Sequence, residues 1–236
     1  MPDHHLPDEF LLEYASGAAD PGHALMVACH ATLCPRCRAR IAEFEAIGGA
    51  VLGQHAGGAG EAGDAKGPAR ALDAAAESVV ANVLASVRRP DTARPTPPAP
   101  AKLAGDGILP LPLIDVLGPL DAIEWKHPIP GLEVHEFTIA GAQTKLRMTR
   151  VKPDALVGFH DHAGRELDLV LAGGLVDVTR GGGFERGDIQ YAEPGVEHDM
   201  RTQPDEPCLV FTVNEGPVVP RGPRSQLIYR WLGWNK

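Results

Sequence analysis

Apolar positions recur every three or four places through the first part of the chain, and from about residue 103 they alternate instead. The segment Asp8 to Gly17 predicts a short helix, with Asp8 as its cap and Gly17 as its stop. Asp20-Pro21 opens a second helix that runs to about Leu33, and residues 35–52 predict a third, with Ile41, Phe44, Ile47 and Val51 at helical spacing. Gly53 to Asp64 is glycine-rich, which predicts a flexible linker over about 53–68. A fourth helix follows, roughly 69–88, where Leu72, Ala76, Val80, Val83 and Val87 line one face with Val79 and Leu84 beside them. Prolines 90, 95, 97, 98 and 100 then stiffen a second linker, 89–102.

The second half reads as strands. Residues 132–139 and 144–151 alternate, 167–171, 175–179 and 209–213 follow, and Gly and Pro turns divide them. This predicts an all-β barrel or jelly roll over 103–236, joined to a helical domain over 1–88. The fold class is therefore multidomain, α first and β second. The fourth helix lies between two linkers and cannot bury its apolar stripe alone. Two readings stay open for it: it folds back on the first three helices, or it clamps a partner.

Two clusters carry candidate chemistry. In the first, His30, Cys34 and Cys37 stand as His-x3-Cys-x2-Cys, with His5 far upstream. His30 and Cys34 share one helix face, and one tight turn brings both sulfurs to one ion. Pro35 suits the first position of a new helix, so Cys34 falls at a helix N-terminus, where the dipole favours a thiolate. Four protein ligands close a shell around Zn²⁺, which makes the site structural. His4 is beside His5 and offers the same group. Cys29 and Cys208 stand apart from this set and read as small core residues.

The second cluster lies in the β half: His160, His162, Glu166 and, farther on, His198. His160 and His162 point to one face of a strand, into the barrel, Glu166 opens the next strand, and His198 comes from a strand across the barrel. Three imidazoles and a carboxylate suit Zn²⁺ or another divalent transition metal, and the ligand set does not choose among zinc, iron, manganese, nickel and copper. His127 and His135 fall outside the pattern.

Composition narrows the classes. A net charge of −9 argues against direct nucleic-acid binding and suits a basic protein partner. With no secretory leader and no apolar run of about twenty residues, the expectation is a protein off the membrane. Cysteines in a metal-type pair suit a reducing cytoplasm.

The β half resembles the cupin superfamily. Its first motif, His-x-His-x3-Glu-x6-Gly, is met by His160, His162, Glu166 and Gly173, and its second in part by Gly187, Pro194, Gly195 and His198. Pro194 and Gly195 are adjacent where the usual form separates them, and no Asn follows His198. The N-terminal half resembles the zinc-binding anti-sigma domain, with its upstream His and His-x3-Cys-x2-Cys. Both halves in this order resemble the ChrR anti-sigma factors. The resemblance implies a cytoplasmic inhibitor of an alternative, extracytoplasmic-function (ECF) sigma factor. The zinc domain and its fourth helix would sequester the sigma factor, making Leu72, Val79, Val80, Val83, Leu84 and Val87 partner-binding. The cupin would serve the oxidative stress response, to singlet oxygen and related oxidants. The alternative is a cupin metalloenzyme, a dioxygenase or isomerase, with an accessory zinc module. The tethered helix and the anti-sigma signature favour the non-enzymatic regulator.

Overall fold

The computed structural model describes residues 1–56, 107–223, 225, 226 and 230. The expected fourth helix with Leu72, Val79, Val80, Val83, Leu84 and Val87, the Pro-rich linker, and with them the domain limit at 88 lie outside the described residues.

Three helices open the chain: α1 (Asp8–Ser16), α2 (Pro21–Leu33) and α3 (Pro35–Ala56). Asp8 does not cap α1. Pro7 holds that position, and the Asp8 carboxylate instead reaches Arg40 of α3, 2.6 Å from its Nη2. Gly17 ends α1 at φ 73°, a left-handed conformation that a side chain resists. Asp20 does cap α2, accepting the Gly22 N–H at 2.8 Å. Helix α3 runs to Ala56, past the expected linker start at Gly53. Gly53 costs that helix only about 1 kcal/mol relative to alanine, which does not by itself end it.

A helix where strands were expected, α4 (Leu111–Leu117), lies ahead of the sheets. Pro110 precedes it and Pro112 occupies its first turn, where a missing N–H costs nothing. Its Leu113 is fully buried in the core that α2 also lines.

The β half forms a six-stranded antiparallel sheet, a three-stranded sheet and a two-stranded ribbon. The large sheet is ordered β1 (Lys126–Ile129), β2 (Leu132–Phe137), β3 (Lys145–Val151), β10 (Cys208–Asn214), β5 (Glu166–Ala172), β8 (Ile189–Ala192). The small sheet is β7 (Gly183–Glu185), β6 (Gly174–Asp177), β9 (Met200–Thr202), and the ribbon pairs β11 (Val218–Pro220) with β4 (His160–His162). This is the cupin-type β fold after a helical block.

The β10–β5 part of the large sheet is buried on both faces, which is why those two strands read as nearly continuous apolar runs. Alternation sorts the two faces. Leu167, Leu169, Leu171, Leu209, Phe211 and Val213 join one core with Phe10, Leu11, Leu25 and Met26 of the helices. Glu166, Asp168, Val210 and Thr212 face the barrel interior. The helical block thus rests on the outer face of the sheet, and polar ties add to it. Asp20 also accepts the Gln143 N–H at 2.6 Å and the Thr144 hydroxyl at 2.7 Å. Arg165 bridges Glu9 of α1 and Glu215 beyond β10.

Phe211 is fully buried and stacks on Phe137 with centroids 6.0 Å apart. Phe211→Ala should cost about 3–5 kcal/mol through lost burial and the cavity left behind. Urea unfolding followed by circular dichroism should show one transition at a lower midpoint. Two separate transitions would mean that helices and sheet do not share their core energetically.

Candidate metal centres

The first cluster forms where three local structures meet. His30 lies in the last turn of α2. Cys34 ends α2 in extended backbone and immediately precedes α3, and Cys37 lies in the first turn of α3. His5 comes from the extended segment ahead of α1. Cys34 Sγ is 3.3 Å from His5 Nδ1, His30 Nε2 is 3.2 Å from Cys37 Sγ, and one donor atom from each of the four lies within 4.8 Å of the rest. His30 Nδ1 is 2.9 Å from the Gly187 carbonyl, which only accepts, so Nδ1 carries the proton and Nε2 turns its lone pair to the cluster. His4 turns away: its Nδ1 is 3.4 Å from Asp188, and its ring lies on Phe184.

The thiols are electrostatically coupled. The Cys37 thiol hydrogen-bonds to Cys34 Sγ, the Cys37 N–H adds to it at 3.4 Å, and together with His30 they pull Cys34 down to about 3. The adjacent Cys34 thiolate and burial hold Cys37 well above its ordinary value. The pair therefore retains one proton, which a divalent cation would displace. Two sulfurs and two imidazole nitrogens at these separations fit a tetrahedral ion, whose bonds of about 2.0–2.3 Å set donor spacings of about 3.5 Å. Cys29 and Cys208 lie apart in apolar surroundings, and burial raises both thiols.

The second cluster is carried by the β fold. His160 and His162 are the two ends of β4, and Glu166 begins β5. His198 is not on a named strand. It lies in the link between β8 and β9, paired to His160 by two backbone hydrogen bonds of 3.0 and 2.9 Å. The Nε2 atoms of His160 and His162 are each 3.0 Å from His198 Nε2, and Glu166 Oε2 is 2.8 Å from His162 Nε2. All four residues are buried.

Surrounding groups aim these donors. His160 Nδ1 donates to the Gly158 carbonyl at 2.5 Å, leaving Nε2 as a lone pair. Asn214 Nδ2 donates to Glu166 Oε1 at 2.7 Å, which leaves Oε2 for the centre. Gln190 Nε2 lies 3.2 Å from His198 Nδ1, while Gln190 Oε1 is buried without a partner. Turning that amide over satisfies both: His198 Nδ1–H donates to Oε1, and Nε2 becomes a lone pair. Imidazole lone pairs 3.0 Å apart repel unless a cation lies among them, so the arrangement fits a divalent metal.

The shifts of His160, His198 and Glu166 agree with that, and that of His162 runs the other way. Burial drives His160 down to about 4 and lowers His198. Burial also opposes charge on His162, but the Glu166 carboxylate outweighs it and raises that ring. Burial would raise Glu166 itself, yet the three imidazoles hold it well below the usual carboxylate range. His160, Glu166 and His198 border a cavity of about 390 Å³, whose other walls include Leu132, Val151, Leu175 and Met200.

The sequence motifs picked out all eight residues that the structure gathers into the two clusters, but not the groups that aim them. Asn214, Gln190 and the Gly187 carbonyl act across the fold, and the signal for two of them was register. Asn214 pairs with Glu166, and Gln190 is on an inward position of β8 beside Asp168.

The comparisons agree with this architecture. Residues 115–219 match the family model described as ChrR Cupin-like domain. Over 216 residues the chain is 29% identical to the anti-sigma-E factor ChrR of Cereibacter sphaeroides, covering 91% of each sequence. In the crystal structure of Rhodobacter sphaeroides SigE in complex with the anti-sigma ChrR, a chain matches with a TM-score of 0.65 at 26% identity, over 91% of this chain and 99% of that one. Among the described residues, no helix is long and apolar enough to cross a membrane.

Proposed function

We propose that this chain, a homologue of the anti-sigma factor ChrR, holds an ECF-type sigma factor away from RNA polymerase and releases it in response to an oxidant of the singlet oxygen type. The observation that carries the first half is the similarity over nine-tenths of the chain to a protein solved in complex with a sigma factor. His5, His30, Cys34 and Cys37 would hold a structural Zn²⁺ that ties the segment ahead of α1 to the α2–α3 junction. That junction then presents the helical block, and residues Leu72, Val79, Val80, Val83, Leu84 and Val87 complete the partner surface. The acidic balance of the chain suits a basic partner. The cytoplasm is the compartment where the thiols stay reduced and the sigma factor works.

His160, His162, Glu166 and His198 would hold a second divalent metal, Zn²⁺ or another, which supplies a Lewis-acidic or oxidisable centre beside the cavity. The cavity admits a small molecule to that face, which supports a sensing role for the barrel. The same cavity favours a second reading, a metal-dependent dioxygenase or isomerase. Co-purification separates them. A tagged full-length chain, expressed with the candidate sigma factor, should retain it through gel filtration as a heterodimer. A chain that elutes alone and turns over a small substrate would favour the enzyme.

A further inference from the structure

The turn from β7 into β8 touches both metal clusters. The Gly187 carbonyl accepts from His30 Nδ1 at 2.9 Å. Asp188 Oδ1 accepts the N–H groups of Asp3 at 2.6 Å and His4 at 3.0 Å, and Oδ2 accepts the Glu185 N–H at 2.9 Å. The Ile189 N–H donates to the His4 carbonyl at 3.2 Å. Gln190, 1% exposed, then meets His198 Nδ1 at 3.2 Å. Four consecutive residues therefore orient His30, fix the peptide that leads into His5, and orient His198.

The local backbone suits this task. Gly187 has φ 95°, and a Cβ there would meet Pro2 Cγ at 2.8 Å, so only glycine lets its carbonyl reach His30 without strain. Among the described residues, strand β8 is at the edge of the large sheet and laddered only to β5, and the segment around His4 meets its other side. An edge strand held by one ladder shifts at lower cost than a central one.

We propose that Gly187, Asp188 and Gln190 are positioning residues shared by the two metal centres, so that a change in the setting of His198 alters the thiolate centre through the turn. The proposal rests on reading both clusters as metal sites. It needs no large motion. Outer hydrogen bonds to ligating imidazoles typically change metal affinity about 10–100-fold, and here one turn supplies such a bond to each centre.

The test uses the full-length chain and reads the thiolate centre while changing the barrel side. Bound Co²⁺ gives a thiolate charge-transfer band only at the cysteine cluster, and zinc release from that cluster can be timed with a chromogenic chelator. Gln190→Leu should shift the cobalt band and speed zinc release about tenfold or more, and Gln190→Glu, which keeps an acceptor for His198, should restore both. If Gln190→Leu does not fold, Asp188→Asn serves with the readout reversed: metal release from the barrel centre should change about tenfold, and an unchanged release there would overturn the coupling. Thr212→Val, equally inside the barrel but bonded to Asp168, should leave the cobalt band and zinc release unchanged. Unchanged release and an unchanged band in a folded Gln190→Leu chain would overturn the coupling while leaving the metal sites standing. No thiolate band in the unaltered chain would overturn the metal reading itself, and the coupling with it.

Discussion

Cys34→Ser should remove the metal of the first centre and abolish sigma-factor binding, and Cys37→Ser should do the same. Cys34 joins two helices: it ends α2, precedes α3, and its sulfur sits among the Cys37 N–H, His5 and His30. A serine hydroxyl keeps the shape but does not ionise in reach of neutral pH, so the ion loses a charged ligand. In small zinc modules the metal contributes apparent folding energies of about 10–16 kcal/mol. Here the helices also lean on the sheet through Phe10, Leu25 and Met26, so the fold should survive in part. What should not survive is the fixed angle of the α2–α3 junction and of the segment holding His5. Metal analysis should show the loss of one zinc per chain, and calorimetry should show no binding to the sigma factor. Cys29→Ser is the matched control, since Cys29 is buried away from the cluster and should keep the zinc. Stoichiometric zinc in the Cys34→Ser chain at this centre would sink the assignment.

The second large effect is expected in the barrel. His160→Ala with Glu166→Ala should empty the second centre, leave basal inhibition in place and remove induction by singlet oxygen. Changing both at once matters. Glu166 is held ionised by the imidazoles around it, so a lone deletion would leave a buried charge imbalance as well as a missing ligand. The thiolate centre keeps its own four donors, so it stays filled at equilibrium even where its zinc exchanges faster, which is why inhibition should persist. The readout is a reporter driven by the sigma-dependent promoter, in darkness and under photosensitised singlet oxygen. Normal induction in the double variant would show that the barrel metal does not carry the signal.

Much of this was legible in short-range pattern. The thiolate cluster depends on i, i+3 and i, i+4 spacing, which a helix junction realises directly, and the barrel cluster depends on alternation along β4. Where long-range packing decides, the pattern failed. The prolines at 110 and 112 hid α4, because the same residues that disfavour a helix interior are welcome at its start. Asp8 looked like a cap, but Arg40 from α3 claims its carboxylate. His198 was expected on a strand, and instead a pair of backbone bonds to His160 presents it from a link. The apolar runs of β5 and β10 signalled burial, yet nothing local said that the helical block is what covers the outer face. Gln190 and Asn214 are ordinary polar residues until strand register sets them against His198 and Glu166.

The most direct measurement is transcription in a purified system. RNA polymerase carrying the sigma factor is given its promoter, and the metal-loaded full-length chain is added in increasing amounts. An equimolar amount should bring the transcript to background, and the Cys34→Ser chain should leave it untouched. Undiminished transcript in a several-fold excess of the unaltered, metal-loaded chain would contradict the account.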